Sequence, residues 1–337
     1  MLTKKVPIYS LLIAFLAPTI VFLAYLSTVS KKNNDSSTDM ELYAAAHDDC
    51  NMNIKRLSGY SFIRPLLYAE PGCESPNLLP LKPEIEGIIN QNKTNGTISD
   101  ASVYLREFGQ AQWMVINEEV KYSPGSLMKI PELIAFYKMN EKNPGYLNKV
   151  IKFEHEFQTD KKPVFLSQQI QLGSSYTIRE LLKYMIVYSD NNATILLNNI
   201  INKDVFTRVF TDIGLAAPDF SASEYPISAQ DFSVFMKELF NASYLSKENS
   251  ETCLELLSKS DFRDGLINGL PVNCATAHKF GEGGDSSLPN FSESAIVYCG
   301  KKPYLLTVML KGKQMQQLPK VISDISKKVY DLMSSRT

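Results

Sequence analysis

Residues 124–131, Pro-Gly-Ser-Leu-Met-Lys-Ile-Pro, mark the point at which the chain changes from a strand pattern to a helical pattern. Before them, 101–108 and 112–122 are rich in β-branched and aromatic residues and predict two strands joined at Gly109. After this point, apolar residues recur at helical spacing, at Leu127, Ile130, Leu133, Ile134 and Tyr137. Ser126 is therefore expected at or near the N-terminus of a helix that follows a pair of strands.

The pattern on either side of this turn gives the order of the remaining elements. A helix near Leu81 is expected to open the domain, because Pro83 suits a first helical turn and an isoleucine stripe follows it. Residues 140–270 are mostly helical in pattern, and a last helix is predicted over 318–333. Three strands are predicted between them, at 275–281, 294–299 and 304–310. This order favours an α+β sheet domain with a helical insertion and a site in the cleft between the two.

Ser126 and Lys129 have the spacing that a serine nucleophile and its base require. Residues i and i+3 are neighbours on a helix, so Lys129 can reach the Ser126 hydroxyl. A serine is a weak nucleophile without a base, and a lysine serves as one when burial or a second cation lowers its pKa. Taken alone, the pair is better explained as a helix cap beside a surface lysine.

Two further short motifs follow in order along the chain. Ser189-Asp190-Asn191 lies between two helical runs, where it supplies either a proton relay or a helix cap. Lys279-Phe280-Gly281 lies at the end of a predicted strand, where Lys279 either meets a substrate carboxylate or is solvated. Gly281 removes a side chain at a place where a substrate could lie along the strand.

Taken together, the three motifs resemble the S-x-x-K, S-D-N and K-T-G signature of class A β-lactamases and penicillin-binding proteins. The resemblance covers roughly residues 81–333 and includes the order of the predicted helices and strands. It implies a β-lactamase/transpeptidase-like fold, an antiparallel sheet flanked by helices with an all-helical subdomain. It also implies an acyl-enzyme mechanism without a cofactor.

The resemblance assigns a role to each matching residue. Ser126 would be the acylated nucleophile, Lys129 its general base and Ser189 the proton shuttle. Asn191 would contact a substrate amide and Lys279 a substrate carboxylate, beside Gly281 in the third motif. The oxyanion hole would be formed by the backbone N–H groups of Ser126 and Glu282.

The sequence departs from this family pattern in two places. Phe280 stands where the family usually has Thr or Ser, so one hydroxyl contact to the substrate carboxylate is missing. The family's loop glutamate, which activates the deacylating water, has no clear counterpart in the short loop 214–228. The only carboxylates there are Asp219 and Glu224, and neither has an Asn four residues later.

These departures leave three hypotheses for function. The first is a class A β-lactamase-like hydrolase acting on β-lactams or D-Ala-D-Ala-type peptides. The second is a D,D-carboxypeptidase or penicillin-binding protein that deacylates slowly. The third, from another class, is a catalytically weak cell-wall-binding module that reuses the fold.

The N-terminal part of the chain is expected to lie outside the catalytic domain. Residues 1–30 are interpreted as an uncleaved membrane anchor or, alternatively, as a cleaved signal, because 6–30 are 25 uncharged residues, long enough for a transmembrane helix. Residues 31–80 are interpreted as an extracytoplasmic stalk or accessory segment and 81–337 as the hydrolase domain. Cleavage of the first segment would make the protein secreted.

Composition excludes some other classes of partner. The net charge of −1 gives no broad attraction to nucleic acid. The five cysteines form no C-x-x-C pair, which argues against a zinc site. Cys50 and Cys73 either form a disulfide or are buried thiols, and the odd count leaves at least one thiol free. The protein is expected to be a monomer.

Overall fold

The computed structural model describes residues 50–157, 163–222, 224–285, 287–299 and 302–335. Within them nine strands occur. They are β1 (Met52–Arg56), β2 (Leu66–Pro71), β3 (Ile98–Glu107), β4 (Gln112–Ile116), β5 (Val150–Lys152), β6 (Ser175–Thr177), β7 (Thr276–Gly284), β8 (Pro289–Val297) and β9 (Tyr304–Gly312). Five of these form one antiparallel sheet in the order β4-β3-β9-β8-β7. Strand β7, which carries the third motif, is therefore at one edge of the sheet.

The same parts of the chain contain eight α-helices. They are α1 (Lys82–Thr94), α2 (Lys129–Lys142), α3 (Ile178–Val187), α4 (Asn191–Asn198), α5 (Lys203–Thr211), α6 (Ala229–Asn241), α7 (Lys247–Ser258) and α8 (Leu318–Ser335). Strands alternate their side chains between two faces, so the sheet has a core on each side. Helices α1 and α8 cover one face, and α2–α7 form the second core on the other. The predicted α+β architecture with a helical subdomain is confirmed.

The predicted elements differ from the structure mainly in where strands begin and end. The second predicted strand, 112–122, ends at Ile116, because Asn117 adopts a left-handed backbone conformation with φ of 55°. Strand β8 begins at Pro289 rather than at residue 294 and is buried along its whole length. The long β7–β8 ladder pairs Lys279 with Ser294 and Glu282 with Phe291.

The hairpin of β1 and β2 packs on β3 and α6 through a buried cluster of charges. Glu70 accepts hydrogen bonds from Lys237 Nζ on α6, at 3.0 and 2.9 Å, and from Arg106 on β3. The Lys237 ammonium also lies 3.7 Å from the centre of the Tyr68 ring. We refer to Glu70, Arg106 and Lys237 as the hairpin cluster.

The chain divides into two units, residues 1–51 and residues 52–337. In the described part of the chain, no helix combines the length and hydropathy needed to span a bilayer. The predicted anchor segment, 1–30, and residues 31–49 of the predicted stalk lie outside the described residues, whereas residues 50–80 of that stalk include β1 and β2. Cys274 and Cys299 form a disulfide, Cys50 and Cys73 are disulfide-bonded, and Cys253 is the buried free thiol that the odd count requires.

Candidate active site

The turn that carries Ser126 is held against the edge strand β7 by backbone packing. A short 3-10 turn, Gly125–Met128, leads directly into α2. A Cβ atom on Gly125 would lie 1.9 Å from the Glu282 carbonyl oxygen, and one on Gly281 would lie 2.2 Å from the Pro124 carbonyl oxygen. Only glycine permits this approach. Gly281 therefore allows β7 to pack on the nucleophile turn, a reason that the sequence pattern alone did not supply.

Helix α2 passes through the interior of the helical subdomain. Residues 129–137 are buried on every side of the helix, not along one stripe. Two of them are charged: Lys129 is 3% exposed and Glu132 is 7% exposed. A charged group in such a position loses most of its hydration, so its protonation depends on the few groups near it.

The second motif acts as a helix cap and at the same time points into the site. Asp190 caps α4 by accepting from the Asn192 and Ala193 N–H groups at 2.8 and 3.4 Å. Its other oxygen accepts from the Ile170 N–H at 2.7 Å. Ser189 has a left-handed backbone with φ of 55°, which is unusual for a serine. The cap is thus confirmed at Asp190, and the relay role of Ser189 stays a prediction.

The three motifs meet around the Ser189 hydroxyl. Lys129 Nζ donates to the Ser189 carbonyl oxygen at 2.7 Å, to Ser189 Oγ at 3.2 Å and to Asn191 Oδ1 at 2.9 Å. Lys279 Nζ donates to the same Ser189 Oγ at 2.9 Å and to the Phe280 carbonyl oxygen at 2.9 Å. Ser126 is half-buried beside them, and the Lys129 hydrogen bonds go to Ser189 and Asn191 and not to Ser126.

Burial lowers the pKa of both lysines below that of an exposed lysine. Desolvation lowers the pKa of Lys129, while nearby carboxylates, first Glu132 and then Asp190, oppose the shift. Desolvation also lowers the pKa of Lys279 well below its usual value, and the Lys129 charge lowers it further. A lysine in this condition can give up its proton and serve as a general base.

A cavity of about 890 Å³ opens beside this cluster. Its walls include Ser126, Lys129, Ser189 and Asn191. Lys279 is not among the described residues that line the cavity, because its side chain is fully buried behind Ser189. Lys279 therefore reaches the cavity through the Ser189 hydroxyl.

Phe280 gives the cavity an aromatic wall where the family pattern has a hydroxyl. Its ring stacks on Phe262 with the centroids 4.1 Å apart, and Phe165 packs edge-on against both. The Lys279 ammonium lies 4.1 Å from the centre of the Phe280 ring. The third motif thus contributes a cation and an apolar surface rather than a cation and a hydroxyl.

The Glu282 side chain fixes the opposite wall of the cavity, a role that the sequence did not suggest. Its carboxylate accepts from the backbone N–H groups of Val164 and Phe165 at 2.8 and 3.0 Å. This bond holds the segment that begins at Pro163 across the cavity from the nucleophile turn. It also places a negative charge near both lysines.

The two loop carboxylates lie outside this cavity. The Asp219 carboxylate is exposed and accepts from the Ser221 N–H and hydroxyl at 2.8 and 2.7 Å, which closes a turn of its own loop. Glu224 is also exposed. Neither Asp219 nor Glu224 is among the described residues that form the walls of the cavity.

Glu132 lines the cavity instead and was missed by the sequence analysis. It follows Lys129 by three residues, as Lys129 follows Ser126, so the three polar residues recur at one period along an apolar helix. That period is the signal that could have identified it. Burial raises the pKa of Glu132, while Lys129 and a hydrogen bond from Asn198 oppose the shift.

His278 precedes Lys279 on β7, so its side chain lies on the opposite face of the sheet from Lys279. It is fully buried, with Nδ1 2.7 Å from Glu293 Oε1. Over the described ranges, no group of three or more metal-ligating side chains is assembled.

A serine on the turn before a buried helix, with two buried lysines and a second serine beside it, defines a serine hydrolase of the β-lactamase type. The chain belongs to the Beta-lactamase enzyme family, whose model matches residues 80–333. Among curated proteins, no relative matches this sequence.

Solved structures show the same fold at low sequence identity. The structure of PBP-A is 19% identical with a TM-score of 0.63, covering 78% of this chain and 98% of that one. A β-lactamase from Chitinophaga pinensis is 20% identical with a TM-score of 0.64, covering 75% of this chain and 99% of that one. The extended-spectrum β-lactamase TLA-3 is 16% identical with a TM-score of 0.65, covering 76% and 98%.

Proposed function

We propose that this protein forms an acyl-enzyme at Ser126 with β-lactams or with D-Ala-D-Ala-type peptides. The observation that carries the proposal is the Ser189 hydroxyl, which accepts from both Lys129 and Lys279 beside the cavity that Ser126 lines. The three motifs have no structural need to meet at one hydroxyl, whereas a proton relay requires it.

In the proposed first step Lys129, as a neutral amine, takes the proton of the Ser126 hydroxyl while its oxygen attacks the substrate carbonyl. Ser189 then gives its proton to the leaving nitrogen and takes one from the Lys129 ammonium, so that Lys129 is again a neutral amine. The developing oxyanion is stabilised by the N–H groups of Ser126 and Glu282, since β7 packs directly on the nucleophile turn.

Substrate contacts follow from the walls of the cavity. Asn191 presents its amide group to a substrate amide. The buried charge of Lys279, transmitted by Ser189, favours a substrate carboxylate. Phe280 and the Pro163–Phe165 segment favour an apolar group next to that carboxylate.

Labelling with a fluorescent penicillin tests this proposal. Wild-type protein should acquire one covalent adduct, confirmed by intact mass, and Ser126→Ala should acquire none. Ser123→Ala, at a half-buried serine just before the same turn, is the matched control and should label normally. Equal labelling of wild type and Ser126→Ala would disprove the assignment. Absence of labelling together with intact peptidoglycan binding would support a binding module.

A D,D-carboxypeptidase is the second candidate, and it is favoured by the position of Asp219 and Glu224 away from the cavity. Both candidates share the first step and differ in the lifetime of the adduct. Turnover within seconds supports a β-lactamase, and persistence for many minutes supports the peptidase.

We also propose that the catalytic domain acts outside the cytoplasm and is anchored by residues 6–30. The Cys274–Cys299 disulfide supports an oxidising compartment, where such bonds persist. Fractionation of cells that express the full chain, followed by extracellular protease treatment, tests both the anchor and its orientation.

A further inference from the structure

The proposed acyl-enzyme needs a base for its second step, because water attacks an ester slowly without one. This inference rests on the proposed function and extends it. Asp219 and Glu224, the carboxylates that the sequence offered, lie outside the cavity. The described residues that form its walls include three carboxylates: Glu132, Glu282 and Asp285.

Two of those three carboxylates already accept hydrogen bonds from backbone N–H groups. Glu282 uses both of its oxygens to hold the backbone N–H groups of Val164 and Phe165. Asp285 accepts from the N–H groups of Ser287 and Leu288 at 2.7 and 3.0 Å and belongs to the β7–β8 turn. Neither can move toward Ser126 without losing these bonds.

Glu132 is in a different condition. Its Oε1 accepts a long hydrogen bond from Asn198 Nδ2, at 3.4 Å, and its Oε2 has no hydrogen-bond partner among the described protein atoms although it is buried. The side chain is 7% exposed and lines the same cavity as Ser126. A buried carboxylate oxygen without a partner is costly, so a fold retains one where a ligand or a water uses it.

The helix geometry brings this carboxylate toward the nucleophile. Ser126 lies in the 3-10 turn that leads into α2, and Glu132 lies in the first turn of α2. Helical side chains tilt back toward the N-terminus, so Glu132 extends toward Lys129 and the turn that carries Ser126. Lys129, one turn earlier, is the cation that interacts most strongly with Glu132. A water beside Ser126 would therefore meet a carboxylate on one side and the Lys129 amine on the other.

We propose that Glu132 is the general base that activates the water for hydrolysis of the Ser126 acyl-enzyme. The base is thus carried by the nucleophile helix rather than by the loop 214–228. The protein is in consequence a turnover hydrolase, and its acyl-enzyme is short-lived.

Lys129 is a neutral amine once acylation is complete. Glu132 takes a proton from the water while the water oxygen bonds to the acyl carbonyl carbon, giving an oxyanion held by the N–H groups of Ser126 and Glu282. The bond between that carbon and Ser126 Oγ then breaks, and the Lys129 amine relays the proton from Glu132 to Oγ. This leaves a carboxylic acid product and the free enzyme, with Glu132 ionised and Lys129 neutral.

The test measures acylation and deacylation separately in wild type and Glu132→Gln, with penicillin G followed by intact mass over time. Gln keeps the size of the side chain and an oxygen for Asn198. We expect the acylation rate to stay within a few-fold, the deacylation rate to fall by about 10²–10³-fold, and the adduct to accumulate.

Three variants serve as controls. Glu238→Gln removes another buried glutamate that has an oxygen without a partner, but on α6 and away from the cavity. Asp219→Asn and Glu224→Gln remove the loop carboxylates. All three should deacylate at the wild-type rate.

Each other outcome contradicts the inference in a distinguishable way. Equal deacylation in wild type and Glu132→Gln overturns the role of Glu132 but leaves acylation at Ser126 intact. A long-lived adduct on the wild type also overturns the role of Glu132 and favours the carboxypeptidase. An equal loss in both steps shows that Glu132 acts only through the protonation of Lys129. No adduct on the wild type defeats the proposed function itself.

Discussion

Two buried groups that each contain a lysine and a glutamate differ in whether those side chains are hydrogen-bonded to each other. In the hairpin cluster, Glu70 accepts from Lys237 with both oxygens and from Arg106 as well. In the active site, Lys129 donates only to neutral oxygens, and Glu132 keeps one oxygen without a partner. A paired cluster holds two elements together, whereas unpaired charges cost stability and are free to exchange protons.

The largest expected effect concerns the unpaired group. Lys129→Met removes the proposed base but keeps an apolar stem of similar length in a buried helix. The acylation rate should fall by about 10²–10⁴-fold, the range for loss of a general base, which is measured by stopped-flow reaction with a chromogenic β-lactam. Lys142→Met, exposed at the end of the same helix, is the matched control. A fall of less than tenfold would assign the base elsewhere.

The second effect breaks the paired group. Glu70→Gln leaves Lys237 and Arg106 buried without a full counter-charge, which should lower the free energy of unfolding by about 3–5 kcal/mol in urea titrations. Glu84→Gln breaks an exposed ion pair with Lys328 and should cost less than about 1 kcal/mol. Acylation by folded Glu70→Gln should equal that of wild type. A selective loss of acylation would show that the hairpin cluster belongs to the site.

The smallest effect is a pH dependence that separates the two steps. Burial lowers the pKa of Lys129, opposed by Glu132, Asp190 and Glu282, so acylation should rise with pH through a midpoint below the ordinary lysine value of about 10.4. Burial raises the pKa of Glu132, so deacylation should fall as pH drops through a midpoint above the ordinary glutamate value of about 4.3.

Below each midpoint the rate should fall about tenfold per pH unit, since one proton is involved, and above it the rate should level off. Single-turnover rates between pH 4 and 10 measure both limbs. Glu132→Gln should lose the acidic limb of deacylation and keep the alkaline limb of acylation. An acidic limb that persists in Glu132→Gln would assign the titration to another group.

Local pattern was sufficient for most of the elements. The helical period after Ser126 predicted α2, because apolar residues at that spacing are neighbours on a helix. The cap at Asp190 was equally visible, since it depends only on neighbouring backbone N–H groups. Strand ends were less accurate, because a left-handed residue such as Asn117 leaves no periodic signal.

The candidate site also has features that local sequence predicts and features that depend on the tertiary structure. Sequence alone was sufficient to propose nucleophile, base and relay residues, because residue type and order are one-dimensional properties of Ser126, Lys129, Ser189 and Lys279. It could not determine which carboxylate serves the second step, since that depends on distances across the fold.

Tertiary structure alone decided which of these carboxylates lines the cavity. Packing buried α2 on every side, which desolvated Glu132 at the wall of the cavity, while the loop of Asp219 folded outward onto its own turn. It also turned the Glu282 side chain into a support for the opposite wall. Burial and long-range pairing arise only when distant segments meet, and for this reason they could not be inferred from the order of residues.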